Sequence, residues 1–148
     1  QLLIMGVEAA AFHKPMYEKQ AQDYRPKLRE MLRQGLETGA TTYSKALERR
    51  LQFSADMKAL SEQVDVLLTP STPTAPLADL TNTGDTRFQG PWTSCGLPTI
   101  TLPAGLAESG LPMGIQLIAP PFEEARLLAI ARWGEKVIDV QLTPPAVS

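Results

Sequence analysis

Thr99-Ile100-Thr101-Leu102-Pro103, followed ten residues later by Met113-Gly114-Ile115-Gln116-Leu117-Ile118-Ala119, decides the fold class. Each run is short, apolar and rich in β-branched residues, and each is bounded by Gly and Pro. That pattern predicts strands rather than helix turns. The link Ala107–Pro112, with Gly105 and Gly110 beside it, is short and turn-rich, which suits a hairpin. Upstream, Val64-Asp65-Val66-Leu67-Leu68-Thr69 gives a third buried strand ended by Pro70. Downstream, Phe122 to Val137 carries Leu127, Leu128, Ile130, Ala131 and Trp133 at helical spacing. Glu123 and Glu124 stand in its first turn, where carboxylates suit the helix dipole.

Before the first strand the period is helical. Glu8 to His13 favours helix until Pro15, where a break or kink is expected. A second helix starts near Pro26 and meets Gly35 and Gly39 as stop signals. A third is capped by Thr41 or Thr42 and carries a stripe of Tyr43, Ala46, Leu47, Leu51, Phe53, Met57, Leu60 and Val64. Between Pro70 and Gly90 the chain is rich in Pro, Thr, Gly and Asp without periodicity, so a long functional or mobile loop is expected. The class is therefore α/β: N-terminal helices, a short mixed sheet and a C-terminal helix, read as one domain over residues 1–148. So few strands for so many apolar residues suggest a sheet that continues into other polypeptide.

Composition excludes several functions. Apolar residues make up 43%, charged residues 20%, and the formal net charge is -2. Such a chain gives no electrostatic reason to bind nucleic acid or an anionic membrane. The basic group Arg25, Lys27, Arg29 and Arg33 has helical spacing and reads as a solvated face. No apolar run reaches bilayer length. Gln1-Leu2-Leu3-Ile4-Met5 lacks the preceding positive charge of a signal peptide. The absence of an initiating Met fits a processed product or a piece of a longer chain. Cys95 is the single cysteine and His13 the single histidine, which leaves no internal disulfide and no expected metal site. A reducing cytoplasm is the default expectation, and no cofactor is implied.

The motif search is mostly negative. There is no Gly-x-Ser-x-Gly elbow, no Ser-x-x-Lys and no Gly-rich phosphate loop, and no two glycines are adjacent. His13, just before Lys14-Pro15, reads first as a helix-end histidine whose charge suits a helix C-terminus. Cys95, in the loop Gly90-Pro91-Trp92-Thr93-Ser94-Cys95-Gly96, reads first as an inert buried thiol, with no neighbouring base to lower its pKa. Trp92 and Trp133 are most simply core aromatics.

Several of these segments together resemble the amidase-signature family. Asp65-Val66-Leu67-Leu68-Thr69-Pro70 with Thr72-Pro73-Thr74-Ala75-Pro76 is similar to the family's D-x-L-L-x-P-T-x-P-x-A-P run. Gly96 to Gly105 resembles its G-L-P-A-I-S-L-P-x-G strand, and Gly110 to Ile118 its G-L-P-x-G-L-Q-L-I. Glu124-Ala125-Arg126-Leu127-Leu128 resembles the opening of its closing helix. Tyr24-Arg25-Pro26, Gly35 and Tyr43-x-x-Ala46 echo its helical region. The resemblance implies a partial amidase-signature fold and the splitting of amide, sometimes ester, bonds by a Ser–cis-Ser–Lys triad. In that chemistry one serine attacks, the lysine and second serine move protons, and Gly-rich backbone amides hold the oxyanion. The triad belongs to the family's N-terminal half. Nothing here matches it, and neither Ser94 nor Lys45 inherits its role.

By the same resemblance Trp92, Thr93, Ser94 and Cys95 approach the bound substrate, and the chain supplies a wall of the acyl pocket. Three readings follow. The first is the C-terminal portion of an amidase-signature hydrolase, inactive without its missing half. The second is a truncated esterase or amidase using Ser94 or Cys95 with His13 as a substitute nucleophile and base. The third is a non-catalytic fragment that self-associates through exposed sheet edges into a homo-oligomer.

Overall fold

The computed structural model describes residues 1–141. The chain divides into two compact units, Gln1–Phe53 and the residues from Ser54 onward.

In the first unit, α1 (Leu2–Gln20) and α2 (Pro26–Glu37) are joined by a single 3-10 turn, Ala21–Asp23, and α3 (Ala40–Ser61) begins after Gly39. Helix α1 does not break at Pro15. The missing N–H costs one backbone bond, and the helix is held on both sides of it. Upstream, Ala10 is buried. The Tyr24 ring spans the proline, meeting His13 before it edge-on at 5.5 Å and Tyr17 after it at 5.9 Å. His13 is accordingly inside the helix rather than at its end, and its Nδ1 lies 3.0 Å from the Tyr24 hydroxyl.

Gly35 is not a stop signal either; α2 runs through it. A Cβ added there would sit 2.2 Å from the Gly6 carbonyl oxygen and 2.7 Å from the Ala10 Cβ. The two helices cross backbone to backbone, and hydrogen at this position is what lets them do so. Leu32, fully buried, and Ile4 complete the core of this unit. Pro26 occupies the first turn of α2. Arg29 steadies the turn before it by donating to the carbonyls of Gln22 and Tyr24. Arg33 bridges Glu30 and Glu37 along the exposed face, which pulls the Glu30 carboxyl down to about 2. Arg29 and Arg33 are thus spent on local structure.

The cap of α3 is Gly39, whose carbonyl accepts from the amides of Thr42 and Tyr43; Thr41 and Thr42 lie inside the first turn instead. The apolar stripe exists, but Tyr43, Ala46, Leu47 and Met57 are only half-buried and the rest, including Val64 beyond the helix end, is uncovered. Leu51 is 66% exposed, Phe53, Leu60 and Val64 are exposed, and Ser61 is the buried residue of the helix.

The second unit holds β1 (Leu67–Pro70), α4 (Gly90–Cys95), β2 (Thr99–Leu106), β3 (Pro112–Ile118) and α5 (Glu124–Ile138). The strand order is β1-β3-β2. The sheet expected to be mixed shows only antiparallel ladders among the described residues. The hairpin makes β2 antiparallel to β3, and β1 takes the other edge of β3. So β1 and β2 run in the same direction without touching. Pro70 ends an edge strand, where no ladder donor is required. The β2–β3 turn closes with Ala107 N–H on the Leu111 carbonyl and Gly110 N–H on the Ala107 carbonyl, both at 2.9 Å. A bulge between Pro103 and Gly105 shifts the register near that turn.

Helix α5 covers one face with Leu127 and Ala131 against Leu102, Leu117 and Ala119, with Ile100, Ile115 and Ile130 around them. Arg126 pairs with Asp65 at the helix's start. Trp133 is not a core aromatic: it is 65% exposed. The buried positions 127 and 131, and Gly134 against Leu102, define one stripe, and residue 133 points away from it. Among the described residues no helix is long and apolar enough to cross a membrane.

The Gly35 crossing has a direct test. Gly35→Ala is expected to destabilise by about 1–3 kcal/mol through overpacking, read as a lower urea midpoint. Gly39→Ala, with nothing within 4 Å of its new methyl, should lower the midpoint far less, by only the roughly 0.5–1 kcal/mol that Ala costs at an N-cap. Equal midpoints for both variants would show that α1 and α2 do not cross at Gly35.

Candidate functional site

The stretch expected as a loop at Gly90–Gly96 is a short helix. Pro91 lies in its first turn, and Gly96 ends it with φ 69 in the left-handed region. The amides of Gly96 and Leu97 close it on the carbonyls of Thr93 and Trp92. Trp92, Thr93, Ser94 and Cys95 therefore project from successive positions of one turn rather than lying along an extended strand. Thr93 is exposed; the other three are half-buried. The Trp92 Nε1–H is buried and has no hydrogen-bond partner among the described residues. Burial pushes the Cys95 thiol up, and a bond from the Ser54 hydroxyl opposes that only in part. This is the environment of an unreactive thiol.

A concavity of this unit lies beside the start of α4. The segment Ser71–Gln89 arches over the β2–β3 hairpin and encloses a cleft of about 790 Å³, lined also by Thr101, Pro103 and Pro112–Gly114. Gln89, next to α4, belongs to its wall; the four residues nominated from sequence do not. The arch has no regular elements, so its backbone is held by side chains. Asp79 accepts from the amide and hydroxyl of Thr81, Asn82 from the amide of Gly84, and Asp85 from the amide and guanidinium of Arg87. These bonds hold the Asp79 and Asp85 carboxyls below their ordinary values.

Two anchors tie the arch to the sheet. At its start, the Ser71 amide donates to the Gly114 carbonyl at 3.0 Å, and the buried Ser71 hydroxyl donates to Thr101 Oγ1 at 3.1 Å. Gly114 permits this: a Cβ there would come within 2.7 Å of the Thr101 methyl and 3.0 Å of Ser71 Oγ. At its end, Gln116, only 3% exposed, sends its amide from the central strand to the Phe88 carbonyl at 2.9 Å and to Thr69 Oγ1 at 3.2 Å. Phe88 immediately precedes the Gln89 cap of α4, so Gln116 also fixes where that helix starts.

Ser71, Thr101 and Gln116 were not singled out by sequence reasoning. Gln116 carried a signal, as the one amide inside the apolar run Ile115–Ile118. Ser71 and Thr101 carried none, since their pairing spans 30 residues. No group of three or more His, Cys, Asp or Glu side chains that could hold a metal gathers among the described residues.

Two outcomes check this geometry. Gln116→Leu leaves the Phe88 carbonyl unpaired, a loss of about 1–3 kcal/mol. Amide exchange should accelerate over residues 89–95 more than over α5, and uniform acceleration would refute the tether. Cys95 should alkylate more slowly in the folded chain than in urea. The raised thiol pKa favours the protonated form in the fold, so this contribution to stability is present at low pH and fades as pH rises through the folded pKa. Native labelling as fast as unfolded labelling at pH 8 would contradict it.

Comparison with known proteins places this geometry. The family profile named Amidase matches residues 6–128. A putative amidase, AmiD, of Mycobacterium bovis is 31% identical over 152 aligned positions, covering 96% of this chain and 32% of the relative. A glutamyl-tRNA(Gln) amidotransferase component of Parvibaculum lavamentivorans is 38% identical over 111 positions, covering 70% of this chain and 23% of the relative. Among solved structures, a crystal structure of an amidase superposes with TM-score 0.80 at 26% identity, covering 89% of this chain and 33% of that one. A bacterial aryl acylamidase of the amidase-signature family shares the fold with TM-score 0.75 at 18% identity, over 91% of this chain and 32% of its own. The chain thus spans about a third of the length of the first of these relatives and of both structures. The family match covers most of the chain, and this chain belongs to the amidase-signature family.

Proposed function

We propose that this chain is the C-terminal portion of an amidase-signature hydrolase, contributing part of the sheet and a substrate-facing wall to an enzyme that splits amide or ester bonds. The observation that carries the reading is the family match over residues 6–128 in a chain that spans a third of its relatives. Attack and proton transfer fall to a Ser–cis-Ser–Lys set outside these residues, because no segment of the sequence matches the Gly/Ser-rich run that supplies it. Trp92 to Cys95 face the substrate or the remaining polypeptide. Thr93, exposed in the middle of this turn, supports the reading. The fitting partner is the complementary N-terminal part or, failing it, a second copy, because β1 and β2 leave sheet edges and Leu51, Trp133 and Val137 leave apolar surface uncovered. The cytoplasm is the fitting compartment for a chain with one free thiol.

The rival with a substitute nucleophile is disfavoured by two observations. Cys95 is held in its protonated form, and the Nδ1 of His13 is engaged by Tyr24. The discriminating assay is hydrolysis of a chromogenic short-chain ester and an aryl amide by the purified 148-residue chain. No turnover above buffer is expected. Turnover abolished by a serine-directed inhibitor and by Ser94→Ala would overturn the reading. Light scattering should show association that rises with concentration, and a concentration-independent monomer would remove the partner argument.

A further inference from the structure

We propose that the Ser71–Thr101 hydroxyl pair at the floor of the cleft donates a hydrogen bond to the carbonyl oxygen of an uncharged ligand, which makes a neutral amide or ester the class this cleft accepts. The amide or ester identity rests on the amidase reading; the preference for a neutral carbonyl rests on the cleft itself.

Two hydroxyls in mutual contact use one proton between them and keep the other. Ser71 is buried and spends its proton on Thr101 Oγ1 at 3.1 Å. Thr101 is exposed and lines the cleft, so its own O–H is the donor left to face a ligand. Accepting from Ser71 polarises that O–H and strengthens it as a donor. The arrangement is held by backbone: Ser71 N–H on the Gly114 carbonyl, and the bare Cα of Gly114 against both side chains.

The rest of the lining selects against charge. Among the described residues no Lys, Arg or His contributes to it, so a carboxylate ligand meets no counter-charge. Of the carboxylates that do contribute, Asp85 is paired with Arg87, whereas Asp79 keeps its charge under the hydrogen bonds from Thr81 and can draw a cation; an ammonium, however, offers the Thr101 O–H no acceptor. Pro73, Ala75, Pro76, Leu77, Leu80 and Met113 supply apolar surface for the substituents of a neutral molecule.

The test is a titration of the isotope-labelled 148-residue chain with acetanilide, benzoate and benzylamine, followed by backbone amide resonances. Acetanilide should shift Thr72, Thr101 and Gly114, with benzoate and benzylamine weaker by about tenfold or more. Thr101→Val keeps the β-branched shape and removes the hydroxyl; it should weaken acetanilide about tenfold, and it lowers the melting temperature because the buried Ser71 hydroxyl loses its acceptor, so binding is compared well below that temperature. Thr101→Ser should restore most of the affinity. Tight binding of a charged probe, or Thr101→Val binding like the parent, would overturn the hydroxyl assignment and leave the amidase reading standing. Absence of cleft shifts with all three probes would remove the cleft as a substrate wall, and this inference with it.

Discussion

The second unit depends on β3 being paired along both edges while carrying side chains that bind what lies beyond its neighbours. Pairing alone would give a three-stranded ribbon with one covered face, the minimum that stands on its own. What makes it a site is the sequence of β3. Ile115 and Leu117 pack against α5. Gly114 and Gln116 serve the opposite side, where alternation in a strand puts them. Gln116 stands opposite both Thr69 and Thr101, and Gly114 opposite Pro103, so both receive the incoming and outgoing ends of the arch. A buried amide is costly unless satisfied. Here it is satisfied by Thr69 on the neighbouring strand and by the loop itself, so lifting the arch costs Gln116 its shorter bond, the one to the Phe88 carbonyl.

The coarse fold was legible because it is written in local chemistry. The hairpin shows as two β-branched runs around a Gly-containing link, and α5 as an apolar stripe behind two glutamates. What sequence reasoning missed was decided by atoms far apart in the chain. Pro15 stays inside α1 because Tyr24 grips the helix on both sides of it. Gly35 reads locally as a terminator, yet its role is to admit the Gly6 carbonyl, 29 positions away. Trp133 reads as core because it is large and apolar, whereas the rotation of α5 is set by Leu127, Ala131 and Gly134. Gly90–Gly96 reads as loop because its Pro and Gly punctuate it, but both are placed where a one-turn helix tolerates them.

The candidate site was legible in outline only. A long Pro- and Thr-rich segment without periodicity marked Ser71–Gln89 as functional loop, and family resemblance marked Trp92–Cys95. Neither cue shows that the cleft floor is made by Ser71 and Thr101 or that Gln116 sets the start of α4. Those facts follow from strand register, and register is fixed by the pairing of the whole sheet. A single sequence displays the alternation of a strand but not the partner on which it registers.

The exposed apolar surface bears on the same question from the energetic side. Isolated exposed leucines are ordinary, since much of any protein surface is apolar. Here the exposure follows element faces. On α3, Leu51 and Phe53 are uncovered along a helix that contributes little to burial. On α5, Trp133 and Val137 lie one helical turn apart, on the side away from the sheet. Covering a Trp or a Leu gains roughly 1.5–3 kcal/mol each at about 25 cal/mol per Å². A few such residues together amount to a large part of a domain's net stability, typically about 5–15 kcal/mol. Faces of this kind are what a domain leaves when only part of its core is on one stretch of chain. That is the expectation for a sequence that superposes on a third of an amidase.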